Sequence, residues 1–263
     1  MGDASARTKI RRKDRRRFYV PASQFSYPAQ GQPLVATDPD TAHHMCTVLR
    51  LEAGAEVVLF DNSGQEYEGI ITEATSSCVK VQIQRALMPK TESALRIVLA
   101  QALLKGDAMD HVLTVCTELG AVRYVPLLTA RTIARPDPDD YAARVARWER
   151  IVREAAAQCG RVKLPKLDAP ADFKEFLERK SDANKIILWE RGGSGQLKEI
   201  LESERREELV VMAGPEGGFG QAEVKAAVDA GYQIWGLGNR TLRAENAAAA
   251  AIGILQYLRG DMG

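Results

Sequence analysis

The chain has 263 residues, of which 45% are hydrophobic and 27% are charged. This length suggests one large domain or two ordinary ones, and the composition excludes extended disorder and collagen-like repeats. The longest uncharged stretch near the C-terminus, 247–258, has 12 residues, whereas a membrane-spanning helix needs about 20. We therefore expect no transmembrane span, and the charged N-terminus lacks the apolar core of a secretory signal.

The overall charge of +1 is unevenly distributed along the chain. Residues 1–17 hold eight basic side chains against Asp3 and Asp14, which gives +6 and leaves −5 for the other 246 residues. A basic arm on an acidic body suggests a polyanionic partner, because clustered cations release counterions from phosphates. The alternative is a solvated tail that only aids solubility.

The cysteines and histidines offer no metal or redox motif. The cysteines are Cys46, Cys78, Cys116 and Cys159, and no two of them have the spacing of a zinc site or a redox pair. The chain has only three histidines. We therefore expect reduced thiols, a cytoplasmic protein and no bound metal.

Residues 18–88 have the pattern of a small β domain. An apolar run at 57–60 ends in the turn cluster 61–64, and apolar residues resume at 67–71, which predicts a hairpin. Alternation over 78–83 predicts another strand, and a helix is expected over 39–49. Short strands at this spacing indicate a barrel. The polar residues 89–93 that follow are predicted to be a linker.

From residue 94 onward, buried strands alternate with helices. The predicted strands lie at 97–100, 122–128, 186–189, 209–212 and 234–237. The predicted helices cover about 109–119, 145–159, 196–206, 221–230 and 245–258. This alternation implies an α/β fold with a parallel sheet covered on both faces.

Three of the predicted strands are followed by unusual loops, at 189–193, 213–220 and 236–246. Ligands of such folds bind at the carboxyl ends of the strands. Glycines allow the backbone to approach a ligand closely, and a glycine loop that leads into a helix presents free N–H groups. None of the loops is a Walker loop or a dinucleotide fingerprint.

Taken together with shorter motifs, these loops resemble one family. The matching motifs are, in chain order, Lys105–Asp107, Thr117–Gly120, Trp148–Ile151, Gln158–Arg161, Gly214–Gly218, Leu237–Gly238 and Leu242–Glu245. They are similar to those of the RsmE-type enzymes, SPOUT-class methyltransferases that use S-adenosylmethionine to methylate N3 of a uridine in small-subunit (16S) ribosomal RNA. The resemblance runs from Arg17 to the C-terminus and includes His44 and Val48–Arg50.

The resemblance implies a domain organisation. Residues 1–16 would be a basic disordered arm, 17–88 a PUA-like RNA-binding β-barrel, 89–93 a linker and 94–263 a SPOUT methyltransferase domain. The C-terminal segment would be threaded into a trefoil knot, a rare exception to the rule against threaded chains. The protein would be a homodimer with its active site near the subunit interface.

The resemblance also implies the site residues. Backbone and side-chain contacts to the cofactor are expected from Leu188, Glu190, Gly214, Gly217, Leu237, Gly238, Leu242 and Arg243. The three leucines among them would sandwich the adenine ring. Three positions depart from the family pattern, namely Val115, Asn239 and Asn246. We expect Asn246 to keep a polar side chain able to cap a helix start.

Methyl transfer to N3 requires that the imide proton be removed or that the developing anion be stabilised. Arg243 is the candidate for electrostatic stabilisation. Glu245 and Glu216 are the candidate proton acceptors. Alternatively, Glu245 compensates a helix dipole and Glu216 holds its loop by a hydrogen bond.

For RNA, the candidate contacts are Arg17, Arg50, Arg131 and Arg161. The expected partners are ribosomal RNA or the small subunit and a second copy of the chain, without a membrane or a metal. Two other functions stay open at this stage. One is a catalytically impaired RNA-binding or ribosome-assembly paralogue, and the other is a SPOUT methyltransferase that acts on a different RNA.

Overall fold

The computed structural model describes residues 16–27, 33–133, 137–191, 197, 201 and 207–263. Two compact units are present. The first extends to Thr91 and includes the segment Gly160–Lys163, and the second contains the remaining residues from Glu92 onward. Residues 1–15 of the basic arm lie outside the described residues, as does the helix predicted over 196–206 except for the buried, helical Leu197 and Leu201.

The first unit is built on a six-stranded sheet with the order β1-β4-β5-β6-β3-β2. Its strands are β1 Arg16–Tyr19, β2 Phe25–Ser26, β3 Leu34–Ala36, β4 Glu56–Phe60, β5 Glu66–Ala74 and β6 Val79–Leu87. β1 pairs with β4 in parallel, and the other pairs are antiparallel. Among the described residues, β1 and β2 stand at the two ends of this order, and the sheet lies where the sequence predicts a small β domain.

The predicted hairpin is confirmed as β4 and β5. Its turn uses Asn62 and Gly64, whose φ angles are 70° and 103°, in the left-handed region that these two residues tolerate best. Asp61 orders the turn by accepting a hydrogen bond from the Ser63 N–H at 3.0 Å. The Tyr67 hydroxyl donates to the same carboxylate at 3.1 Å. Burial, reinforced by Asp61, raises the pKa of Tyr67 to about 12.

The predicted helix near residue 40 is confirmed, but in two parts. α1, Pro39–His43, continues directly into a π-helical turn, His44–Val48. Asp38 caps the start, because its carboxylate accepts from the Thr41 N–H at 2.9 Å. The chain leaves the π turn through Arg50, which has a φ of 54°.

The sequence did not predict β1. Arg16 begins this strand, although the arm was expected to include residue 16. The next residue, Arg17, is 9% exposed in its side chain and forms an ion pair with the buried Glu66. A basic run at a chain start looks solvated in sequence, and only the parallel pairing with β4 turns it into a strand.

The second unit has an entirely parallel sheet with the order β10-β8-β7-β12-β11-β13, and β9 also pairs with β8. Its strands are β7 Arg96–Ala102, β8 Ala121–Leu128, β9 Lys166–Leu167, β10 Ala171–Asp172, β11 Asn184–Leu188, β12 Glu208–Ala213 and β13 Gln233–Trp235. Its helices are α2 Ala108–Glu118, α3 Tyr141–Cys159, α4 Phe173–Leu177, α5 Gln221–Asp229 and α6 Ala244–Arg259. The predicted α/β class is confirmed.

The sheet has a core on each face because successive strand residues point to opposite sides. On β7, Ile97 and Leu99 join the core with α2, α3 and α6, whereas Val98 and Ala100 join the core with α4 and α5. Both faces are apolar, which is why these strands read as continuous hydrophobic runs in the sequence.

The sequence analysis missed β9, β10 and α4. The two strands have two residues each and the helix has five. Such short elements carry no measurable periodicity, and they exist because they add to the edge of β8. No described helix is long and apolar enough to span a bilayer.

Candidate functional site

The candidate site lies in the second unit, where the carboxyl ends of five parallel strands meet at one edge of the sheet. The loops at this edge follow β7, β8, β11, β12 and β13. The loop after β12, 214–220, leads into α5, and the loop after β13, 236–243, leads into α6. The backbone N–H of Trp189 also donates to the carbonyl of Trp235 at 3.1 Å, which ties the ends of β11 and β13 together.

Two side chains fasten the β7 end to the glycine loop. The Lys105 N–H donates to Oε1 of Glu216 at 2.8 Å. The buried Gln101 amide donates to the carbonyl of Gly214 at 3.2 Å and to that of Ala102 at 3.0 Å. Glu216 therefore holds its loop, which is the alternative that the sequence analysis left open for it.

A third side chain, Glu223, holds two loops at once. One of its oxygens accepts from the Gly220 N–H at 2.8 Å, and the other accepts from the Ala130 N–H at 2.7 Å. Glu223 stands three residues after Gly220, at the position of a capping-box glutamate. The carboxylate thus fixes the start of α5 and the loop after β8 to each other.

Further contacts surround the glycines of the β12 loop. The guanidinium of Arg131 donates to the Gly217 carbonyl at 2.7 Å. Gly218 has a φ of +65°, and a Cβ there would lie 3.4 Å from a carboxylate oxygen of Glu190. A Cβ on Gly214 would lie 3.2 Å from the ring of the buried Phe219. A side chain at Gly214 would therefore crowd the Phe219 ring, and one at Gly218 is disfavoured by the positive φ.

The loop after β13 is more open. Gly238 has a φ of +100° and open space where a Cβ would be. Leu242 is 37% exposed, whereas Leu188 is buried in the core and Leu237 packs against that core. The three leucines predicted to sandwich adenine therefore have different environments, and only Leu242 presents much surface.

The candidate catalytic residues stand on two loops. Glu216 belongs to the β12 loop, Arg243 is the N-cap residue of α6, and Glu245 lies in the first turn of that helix. Arg243 is exposed and makes no side-chain cap, while Glu245 is half-buried. Among the described residues, no hydrogen bond or ion pair joins Glu216 to either of the other two.

The cap predicted for Asn246 is not formed. The N-cap of α6 is Arg243, whose carbonyl accepts from the Asn246 N–H at 3.0 Å. Asn246 therefore lies inside the first turn, where its side chain is not placed to cap the helix. The other two departures lie on an exposed loop position, Asn239, and on a half-buried face of α2, Val115.

The four candidate RNA contacts fall into two classes. Arg50 and Arg131 are exposed. Arg161 is buried in the first unit, and the side chain of Arg17 is 9% exposed, donates to the Arg161 carbonyl at 3.1 Å and lies 5.5 Å from the Phe60 ring centroid. A buried, paired guanidinium has little surface for a phosphate, so this geometry speaks against the RNA role predicted for those two.

Within the described ranges, no group of three His, Cys, Asp or Glu residues could hold a metal ion. The four cysteines are free. Cys116 is fully buried in the core, and burial raises the pKa of its thiol well above its usual value.

Two residues of the site were missed from the sequence, although each left a signal. Glu223 follows Gly220 with capping-box spacing. Gln101 is an amide inside an otherwise apolar strand, a position at which a polar side chain needs a specific partner. Neither residue resembles a catalytic group, so both were passed over in favour of the acidic and basic residues of the glycine loops.

Comparisons with known proteins agree with this architecture. Residues 91–256 match the family described as RNA methyltransferase domain, and residues 37–84 match the family described as RNA methyltransferase PUA domain. The ribosomal RNA small subunit methyltransferase E of Synechocystis is 33% identical over 82% of this chain and 70% of its own length. The Bacillus subtilis protein of that name is 27% identical over 87% of this chain and 93% of its own length.

Solved structures are similar over almost the whole chain. A Legionella pneumophila methyltransferase with bound SAM has a TM-score of 0.85 and 32% identity, and the match covers 94% of this chain and 99% of that one. The methyltransferase E of Neisseria gonorrhoeae, bound to S-adenosyl methionine, has a TM-score of 0.83 and 31% identity, with coverage of 95% and 100%. The chain therefore belongs to the RNA methyltransferase family that includes the small-subunit methyltransferases E.

Proposed function

We propose that this protein transfers a methyl group from S-adenosylmethionine to N3 of a uridine in small-subunit (16S) ribosomal RNA. The observation that carries the proposal is the glycine loop after β12, which hydrogen bonds hold to the end of β7 and to the loop after β8, in a chain of this family. Relatives named for this activity are 33% and 27% identical to the chain. We also propose that it works in the cytoplasm, where that RNA is found.

The residues of the site fit such a cofactor. Gly214 and Gly218 keep side chains out of a loop whose backbone is already crowded by Phe219 and Glu190. Gly238 leaves open space on the facing loop. We propose that the backbone of these glycines binds adenine and ribose, together with Glu190, Gly217 and the exposed face of Leu242. When bound, S-adenosylmethionine supplies the methyl group of its sulfonium.

The proton of the uridine N3 needs an acceptor on the protein. Of the two candidate carboxylates, Glu216 already has Oε1 hydrogen-bonded to the Lys105 N–H. Glu245 is half-buried, two residues after Arg243. We therefore assign proton acceptance to Glu245 and loop positioning to Glu216. The exposed guanidinium of Arg243 would stabilise negative charge on the uracil ring in a site that the RNA closes to water.

For RNA binding we propose the first unit together with Arg50 and Arg131. Arg50 follows a π-helical turn and has a φ of 54°, an uncommon conformation for a residue other than glycine. Such π turns are frequent at functional sites. The target uridine must leave its stack to reach the strand ends, which gives a reason for a separate unit that binds RNA.

We propose further that the protein is a homodimer formed through α6. The exposed apolar residues Ile254, Tyr257 and Leu258 lie on this helix, with Met262 just beyond it, and they are 39%, 65%, 39% and 53% exposed. The N-cap of the same helix is Arg243, so the proposed interface and the site are connected by one rigid helix, with Ile254 about 16 Å along its axis from Arg243. Sedimentation of the wild type and of Tyr257→Glu tests this, because the charged variant should shift towards monomer. The predicted trefoil knot also stays a proposal.

The central experiment is mass spectrometry of small-subunit RNA after incubation with the protein and methyl-labelled cofactor. We expect one labelled nucleoside, 3-methyluridine. Label in transfer RNA alone would favour the reading in which the enzyme acts on a different RNA. RNA binding without cofactor binding at millimolar concentration would favour the impaired paralogue.

A further inference from the structure

A basic surface lies at the amino-terminal end of the second unit's sheet, away from the glycine loops. It consists of two open depressions of about 580 and 210 Å³ that share Arg123 and Arg179. Arg123 is the third residue of β8 and stands five residues before its last, Leu128. At about 3.3 Å per residue, Arg123 lies about 16 Å from the strand ends that hold the proposed site. Ala171, which pairs with Leu127, is the part of the surface nearest to those ends.

Positive charge exceeds negative charge on this surface. Its cations are Arg123, Lys166, Arg179, Lys180 and Lys185, and its acids are Asp168, Glu175 and Glu208, so that five minus three gives +2. By contrast, residues 18–263 together carry −5. A local excess of positive charge on an otherwise acidic protein indicates an anion-binding surface rather than ordinary solvated side chains.

The acid Asp168 is held mainly by one cation, Arg123. The carboxylate of Asp168 is 12% exposed in its side chain and is bound by Arg123 through both of its oxygens, at 3.2 Å and 3.1 Å from Nε. This pairing raises the pKa of Arg123 further. Lys166 and Arg179 approach the same carboxylate only to 3.5 and 3.6 Å. Their N–H donors therefore have capacity for another acceptor.

The aromatic rings of the surface lie under cations. The guanidinium of Arg179 is 5.3 Å from the Phe176 ring centroid, and the ammonium of Lys185 is 5.7 Å from that of Tyr232. Both rings are buried. They cannot stack on nucleobases as the exposed aromatics of base-reading proteins do. The surface therefore presents positively charged groups, including planar guanidinium groups, and their N–H donors suit phosphate oxygens.

We propose that this surface binds the phosphodiester backbone of the RNA substrate, without reading its sequence. The inference rests on the proposed function, since it takes the ligand to be ribosomal RNA. Contacts of this kind orient a nucleic acid rather than select it. A substrate strand held at Arg123 would run along the sheet for about 16 Å to the glycine loops, so that the surface aligns RNA without obstructing the site.

The test compares two double variants of the full chain that lose the same charge. Arg179→Gln/Lys180→Gln alters the surface, and Arg144→Gln/Lys225→Gln removes two exposed cations elsewhere in the second unit. The probe is a small-subunit RNA transcript, and its affinity is measured from low to physiological salt. We expect the surface variant to have a slope of log affinity against log salt that is shallower by about 1.4 to 1.8, since each lost phosphate contact contributes about 0.7 to 0.9. The control variant should keep the wild-type slope.

A variant that exchanges the two cations and keeps their charge is the second control. Arg179→Lys/Lys180→Arg should restore most of the slope, because phosphate contacts depend chiefly on charge. Cofactor binding should be unchanged in all variants, because none of these residues touches the glycine loops. Thermal unfolding should change little, because ion pairs of such exposed side chains contribute only about 0–1 kcal/mol. Equal slopes for the surface variant and the control would overturn the proposal. So would a surface variant that loses binding of polyglutamate but not of RNA, since the natural ligand would then be an acidic protein segment. If the wild type shows the salt effect but never methylates RNA, the proposed function fails while this surface stands.

Discussion

The two ends of the parallel sheet are held together by different chemistry. At the carboxyl ends, carboxylates and an amide bond directly to backbone groups, as Glu223 does to the N–H groups of Gly220 and Ala130. At the amino-terminal end, long cationic side chains converge on Asp168, two of them at 3.5 Å or more. These hydrogen bonds to backbone groups fix the loops to one another. The longer ion pairs at the other end leave N–H donors of the cations available for a ligand.

This difference has a consequence for how each end responds to salt. Salt weakens interactions between exposed charges and largely screens those beyond a Debye length of about 8 Å at physiological ionic strength. Hydrogen bonds from backbone N–H groups to a fixed carboxylate depend much less on salt. Cofactor binding should therefore be nearly insensitive to salt, while RNA binding should weaken steeply.

The largest effect is expected from Glu245→Gln. If its carboxylate accepts the N3 proton, the single-turnover rate at saturating RNA and cofactor should fall by about 10² to 10⁴. Glu216→Gln is the matched comparison, because an amide oxygen still accepts from the Lys105 N–H. That variant should retain most of the rate. The reverse ranking, with Glu216→Gln the slower enzyme, would transfer the role of proton acceptor to Glu216.

Gly214→Val is expected to reduce cofactor affinity by at least about 100-fold. The new side chain would push against the Phe219 ring, which lies 3.2 Å from the position of a Cβ, and branching at Cβ leaves it few ways to turn aside. Calorimetric titration with S-adenosylmethionine measures the loss. Gly253→Val on α6, where a Cβ meets nothing within 4 Å, is the steric control. Unchanged affinity in Gly214→Val would mean that this loop does not line the cofactor site.

Glu223→Ala should have a moderate effect on both stability and binding. It removes the acceptor of two loop N–H groups, and the loss of one capping interaction costs about 1 kcal/mol. We expect a lower free energy of unfolding by about 1–2 kcal/mol and weaker cofactor binding. Glu154→Ala, an exposed glutamate on α3, should change neither quantity. A Glu223→Ala protein with reduced stability but wild-type cofactor affinity would show that the two hydrogen bonds of Glu223 do not contribute to cofactor binding.

Which features the sequence could predict depends on how far apart in the sequence the interacting residues lie. The alternation of strands and helices after residue 94 is local and was read correctly for β7, β8, β11, β12 and β13. The motifs also led to the family before any geometry was known. The burial of Arg17 could not be predicted, because it depends on Glu66, 49 residues away. The bond from Ala130 to Glu223 spans 93 residues and leaves no local pattern at Ala130.

The glycine loops illustrate the same limit within the site. Their positions at strand ends were predictable, since glycines followed apolar runs. The distinct environments of Leu188, Leu237 and Leu242 were not, because all three look alike in sequence while their exposure depends on packing against the α6 face of the sheet. Similarly, β9 and β10 exist only as additions to β8, so no pattern within two residues could reveal them.

The smallest effect is expected from removing the basic arm. Because β1 begins at Arg16, the truncation should delete residues 2–15 and leave that strand intact. It removes six cations and two acids, a charge change of −4. If the arm contacts phosphates, the slope of log affinity against log salt should become shallower by about 0.9 per lost contact on duplex RNA treated like DNA and about 0.7 on single strands.

The arm lies outside the residues that match the family, so its removal should leave the chemistry intact. Single-turnover rates at saturating RNA should equal those of the full chain, and cofactor affinity should not change. An unchanged salt slope would identify the arm as a solvated tail, in which case RNA binding depends on the two units alone. A collapse of the saturating rate would instead mean that the arm reaches the strand-end site. In that case RNA contacts would also be made at the carboxyl ends of the strands. The two ends of the sheet would then no longer differ in how their ligand binding responds to salt.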